Sequence, residues 1–85
     1  MTTIKETQYL RFIDVEVRQK TKIIAVVNIH HDEQIGVIKW FGKWRQYCFH
    51  PNENTIWNKD CLNDVNSVIT KLMEERKNAS IRAHA

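Results

Sequence analysis

The chain has 85 residues, 42% hydrophobic and 27% charged, enough for one small domain around a single core. Thirteen Lys and Arg are scattered among ten Asp and Glu, for a net charge of +3. That balance permits an anionic ligand but lacks the concentrated basic face of a dedicated duplex-DNA binder. No stretch approaches the eighteen or so apolar residues of a membrane span. The polar start Met1 to Thr7 has no apolar signal core, so the expected location is the cytoplasm.

In chain order, residues 1–8 and 78–85 read as flexible ends flanking one domain over 9–77. Tyr9 to Val17 alternates in its second half, with Ile13, Val15 and Val17 on one side and Asp14 and Glu16 on the other. Lys22 to Ile29 is rich in β-branched residues and follows the polar connection Arg18 to Thr21. His30 to Glu33 is a polar turn. Ile35 to Trp40 forms a third strand, Phe41-Gly42 a tight turn, and Lys43 to Phe49 a fourth strand. Pro51 ends that strand because it has no amide hydrogen and restricts His50 before it. Asn52 to Asn54 is a loop, and Thr55-Ile56-Trp57 is a candidate edge segment.

The last element is an amphipathic helix. Leu62, Val65, Ile69, Leu72 and Met73 recur at three- and four-residue intervals, with Cys61 and Val68 flanking the stripe. Asn58 is a natural N-cap, Asp60 suits the positive end of the helix dipole, and Arg76 and Lys77 suit the negative end.

The order predicts an α+β domain: a four-stranded antiparallel β-meander with one C-terminal amphipathic helix packed on one face. A single helix covers one face of such a sheet. Strands three and four carry large side chains at both parities: Ile35, Val37, Tyr47 and Phe49 at one, Ile38, Trp40 and Trp44 at the other. The register at Gly42 leaves open which set meets the helix. Exposed apolar rings are therefore expected on one face, with a second copy of the chain as their simplest cover.

Five of the eight aromatic residues, Trp40, Phe41, Trp44, Tyr47 and Phe49, fall within eleven positions that also hold Lys39, Lys43, Arg45 and Gln46. Rings stack on bases for about 1–3 kcal/mol each, and arginine grips phosphate through paired hydrogen bonds. Lys39, Trp40, Lys43, Trp44, Arg45, Gln46 and Tyr47 are thus the candidate binding residues, with Trp57 at the rim. The structural alternative is that the rings are core or dimer contacts and the cations are solvated.

No metal site is expected. His30 and His31 are adjacent and point apart in extended chain, and neither His nor Cys shows zinc-ligand spacing. No cofactor motif is visible, because Gly36 and Gly42 do not make a phosphate loop. No catalytic residue is assigned and the chain is not expected to be an enzyme. Cys48 lies mid-strand. Cys61 lies in the first turn of the helix, where the dipole lowers a thiol pKa, but beside an apolar stripe that suggests burial. Both are expected to be reduced.

The stretch from Ile35 to Val65 resembles a group of short, uncharacterised phage, prophage and bacterial proteins with the pattern L-G-x-I-K-W-Y/F-x-x-W-R-Q-Y-C-F-x-P. A Thr-Ile/Val step and a Cys-Leu pair opening a helix follow it. The matching positions here are Ile35, Gly36, Ile38 to Phe41, Trp44 to Phe49, Pro51, Thr55, Ile56, Cys61 and Leu62. The resemblance covers roughly the C-terminal half. It implies a small accessory protein of mobile elements, acting in the host cytoplasm if phage-encoded. Such proteins often sequester a host factor, including parts of antiviral defence. The leading expectation is a non-enzymatic, homodimeric protein that binds a host protein or a nucleotide-like signal. The alternatives are a single-stranded nucleic-acid-binding module and a structural oligomerisation module.

Overall fold

A computed structural model describes residues 1–17 and 21–84. Five strands, β1 (Thr2–Glu6), β2 (Leu10–Val17), β3 (Lys22–Asn28), β4 (Glu33–Phe41) and β5 (Gln46–Pro51), precede one helix, α1 (Lys59–His84). The strands form an antiparallel meander in chain order. The expected class, meander and C-terminal helix are present, but the strand count is five and not four. The additional strand comes from the polar N-terminal segment. β1 carries one apolar inward residue, Ile4, beside a bulge between Thr3 and Lys5, so it has no alternating pattern to announce it. Its edge position, zipped to β2 and tied by the Arg11–Glu6 ion pair at 3.1 Å, supplies the order that its composition does not.

The register of the β4–β5 hairpin decides what the helix covers. Residues 42–45 form a four-residue turn, so Trp40 pairs with Tyr47 and Ile38 with Phe49. The even positions of β4 and the odd positions of β5 therefore share one face. That face also holds Leu10, Phe12, Ile24 and Val26, and it meets Val65, Val68 and Leu72 of α1. Phe12, Ile24, Val26 and Ile38 are fully excluded from solvent. Each such side chain contributes about 1.5–3 kcal/mol of burial. A bulge at Ile35 turns this odd-numbered residue toward the same core, out of the parity its position suggests.

The prediction of rings exposed on the second face is thereby corrected. Trp40, Tyr47, Phe49 and Trp57 all pack with the core on the helix side. The helix-free face carries the aliphatic side chains Ile13, Ile23, Val27 and Val37 at its centre, polar and charged ones around them, and Phe41 beside Gln46. The physical reason is the parity of the turn: four residues set the even positions of β4 beside the odd positions of β5, whereas a three-residue turn would have sent Tyr47 and Phe49 to the other face.

The helix begins as expected. The Cys61 amide donates to Asn58 Oδ1 at 2.8 Å, and the Leu62 amide donates to the Asn58 carbonyl at 3.0 Å. The buried stripe is centred on Val65, Val68 and Leu72, so Val68 lies at its centre and not on its flank, and Leu62 is turned out at 48% exposure. α1 continues to His84, which places Arg76 and Lys77 two turns short of its end, away from the terminal carbonyls. Lys22 in β3 pairs with Glu75 at 3.5 Å and pins this part of the helix to the sheet.

Thr55 to Trp57 form no strand. They belong to a loop closed by its own polar groups. Asn52 donates its amide to the Ile35 carbonyl and its side-chain amide to the Gln34 carbonyl, each at 2.9 Å. The Thr55 hydroxyl donates to the Asn52 carbonyl at 2.7 Å and accepts from Trp57 Nε1 at 2.9 Å. These bonds orient the Trp57 ring edge-on to Phe49, with centroids 4.6 Å apart.

Candidate functional site

Where α1 passes the β4–β5 turn, an open groove of about 670 Å³ forms between them. Trp40 and Arg45 reach it from the hairpin, and Ile69, Thr70, Met73, Glu74, Arg76 and Lys77 from the helix. On the helix side the spacing explains the convergence, because Ile69, Met73 and Arg76 lie at i, i+4 and i+7 on one face. The apolar pair supplies a floor, and the three cations with one carboxylate surround it.

Two contacts shape the floor. Trp40 stands edge-on to Tyr47, with centroids 5.4 Å apart, and the Arg76 guanidinium lies 3.9 Å from the Trp40 ring centre. A guanidinium at that distance is attracted by the ring quadrupole. Met73 is held from beneath, since the Tyr47 amide donates to its sulfur at 3.4 Å. The Thr70 hydroxyl donates to the Asn66 carbonyl of its own helix at 2.9 Å.

Arg45 owes its position to the turn. The Trp44 amide donates to the Phe41 carbonyl at 3.2 Å, and the Arg45 amide donates to the Gly42 carbonyl at 3.3 Å. The chain then closes with Arg45 at φ 52°, in the left-handed region that side chains of this size seldom occupy. An L-residue there is strained by about 1–2 kcal/mol. The strain is held by the strand pairing on either side, and it aims the guanidinium toward α1.

The eight residues predicted from sequence do not form a single site. Trp40 and Arg45 line the groove. Lys43 and Trp44 form the tip of the hairpin, where Trp44 is 68% exposed and edge-on to Phe41 at 5.0 Å. The register places Lys39 and Gln46 on the helix-free face, paired across the hairpin with Cys48 and Phe41. Tyr47 is a core residue, and its hydroxyl accepts from the Lys22 amide at 3.1 Å. Trp57 packs on Phe49 toward the other end of β5. Sequence reasoning missed Ile69, Thr70, Met73 and Glu74 as site residues, and it assigned Arg76 and Lys77 to the helix dipole. The available signal was a pair of cations continuing one edge of the apolar stripe.

The remaining chemistry is sparse. Burial first, then the Asp64 and Asp60 carboxylates, push the Cys61 thiol above its usual range, and a backbone hydrogen bond at Asn58 offsets part of this. The helix dipole therefore does not activate this thiol. Cys48 and Cys61 are both free. Among the described residues, no group of three or more His, Cys, Asp or Glu is placed to hold a metal ion, and no helix is long and apolar enough to cross a membrane.

No protein-family model matches the chain, and no solved structure matches it. A curated protein does: one described as an uncharacterized 9.3 kDa protein of Acholeplasma phage L2. It is 43% identical over 75 residues, a span covering 87% of this chain and 96% of the phage protein. A match of that length extends well into the N-terminal half, beyond the region that carries the W-R-Q-Y-C-F string.

Proposed function

The chain belongs to the same family as that small phage protein, and on this premise we propose that it is a non-enzymatic accessory protein that captures a nucleotide-like ligand in the groove beside α1. The observation that carries the reading is the convergence of Trp40, Arg45, Arg76 and Lys77 on one groove with an apolar floor. A nucleotide combines a flat ring with an anionic phosphate. The outer face of the Arg76 guanidinium, backed by Trp40, offers a surface for the ring, while Arg45 and Lys77 offer cations for the phosphate. No bond needs to be made or broken for such a protein to act: withdrawal of a signal nucleotide from the host is sufficient, and a counter-defence role would follow from that.

Thermal melting with a panel of mononucleotides and cyclic oligonucleotides tests the reading. A ligand at about 100 times its Kd adds about 2.7 kcal/mol to stability and raises the melting temperature accordingly. Arg45→Ala is expected to remove the shift and leave the unliganded protein folded. If no nucleotide moves the transition, or Arg45→Ala keeps the full shift, the groove is not a nucleotide site.

One observation favours a second reading, single-stranded nucleic acid. Trp44 and Lys43 stand at the hairpin tip outside the groove, with Trp44 largely in solvent. A ring beside a cation there suits base stacking along an extended strand. Oligonucleotide binding would weaken steeply with salt and be lost in Trp44→Ala. Binding unaffected by either change would dismiss this reading.

A further inference from the structure

We propose that the helix-free face of the sheet is a self-association surface, on which two copies of this chain close into a two-fold β-sandwich with a helix on each outer side. The proposal uses residues other than those of the groove and stands independently of the nucleotide reading.

The strand register defines the face. One row crosses all five strands: Thr3, Ile13, Ala25, Val37 and His50. On one side of it lies the row Glu6, Arg11, Val27 and Gln34. On the other side Glu16 pairs with Ile23, and Lys39 with Cys48. Ile24 pairs with Ile38, so the next step sets Ile23 beside Lys39. The centre is therefore the half-buried set Ile13, Ile23, Val27 and Val37 around Ala25, which its neighbours leave only 2% exposed, with charged and polar groups at the margin. An apolar centre with a polar rim is the anatomy of a protein interface.

The size approaches that of a stable interface. Five strands about 4.8 Å apart and about seven residues long at about 3.4 Å each give a face of about 24 by 24 Å. That is about 600 Å² in projection, before side-chain relief is added. Stable interfaces bury about 800 Å² per partner.

The pattern is also self-complementary. A two-fold axis running along β3 stacks each β2 on the β4 of the second copy. Ile13 then faces Val37 of the second copy on either side of the axis, which passes over the covered Ala25 position. The same operation places Glu16 opposite Lys39 of the second copy, twice by symmetry. An axis perpendicular to the strands would instead put Lys39 over the β4 of the second copy, with no Glu16 to meet it. Aligned packing of two twisted sheets about 10 Å apart is the ordinary geometry of a sandwich.

Sedimentation equilibrium on the full chain tests this. The expected mass is twice 10.2 kDa at micromolar concentration. Val37→Lys should yield a monomer with unchanged circular dichroism. Because that variant carries a fold risk, the charge pair is the second arm. Glu16→Lys and Lys39→Glu should each raise the dimer dissociation constant about tenfold or more, and the double exchange should restore it to within a few-fold. A monomeric unmodified chain up to hundreds of micromolar would overturn the proposal, as it would if a different molecule covers this face. So would a dimer that withstands both Val37→Lys and Glu16→Lys. Single and double charge variants that dimerise equally would overturn the two-fold arrangement.

Discussion

Two hairpin turns in this protein share a backbone plan and differ in chemistry. Residues 29–32 join β3 to β4, and residues 42–45 join β4 to β5. Each closes a strand pair, Asn28 with Glu33 and Phe41 with Gln46. Each also ends in a left-handed residue, Asp32 at φ 49° and Arg45 at φ 52°. The first turn uses residues suited to the task. Aspartate tolerates the left-handed region, and Asn28 Oδ1 accepts from the His30 and His31 amides at 2.9 and 3.3 Å. The second puts a long cation in the strained position, where glycine or asparagine would sit more easily. The comparison separates a turn made for stability from one that carries strain and presents a guanidinium to a groove, the pattern found at functional sites.

The largest expected effect concerns the support of the second hairpin. A Cβ at Gly36 would lie 2.6 Å from the Phe49 ring and 3.0 Å from the His50 carbonyl. Gly36→Ala should therefore lose about 2 kcal/mol, read from the urea midpoint. An unchanged midpoint would mean that the Phe49 ring yields freely and that the hairpin is looser than the first. Next, Arg45→Gly should relieve the turn and raise stability by about 0.5–1 kcal/mol, while ligand-induced stabilisation disappears. A destabilised Arg45→Gly would show that the arginine is held for structure. In the first turn the sign reverses, since Asn28→Ala removes two bonds to backbone amides and should lower stability by about 1 kcal/mol. Equal effects in both turns would erase the distinction.

The smallest effect lies outside both hairpins and serves as a control. The folded-state pKa of Cys61 is raised, so the folded protein holds the thiol proton more tightly than the unfolded chain. Stability is then unaffected below the unfolded thiol pKa of about 8.5 and falls as pH rises past it. Cys61→Ser should flatten that alkaline decline. An identical decline in the variant would assign it to other groups.

Legibility from sequence followed the range of the signal. The helix start at Asn58, the end of β5 near Pro51 and the meander order are local matters, readable from capping chemistry, a missing amide hydrogen and period-two alternation. β1 escaped notice because Thr2 to Glu6 has no alternating pattern, and its order comes from pairing with β2. Of the site, Trp40 and Arg45 were visible as members of an aromatic and basic cluster, but the helix residues that complete the groove were not. Their distance in sequence from the hairpin hides a proximity created by packing alone.

The amino-acid order by itself determined that this is one sheet and one helix, and that the two meet through an apolar stripe. Tertiary structure decided the register of residues 42–45, and with it the side of the sheet on which the rings lie. Side chains alternate with a period of two, so one residue more or less in a turn exchanges the faces of the following strand. A turn of that kind is chosen by the packing of both strands against the core, and no residue within it carries the choice alone.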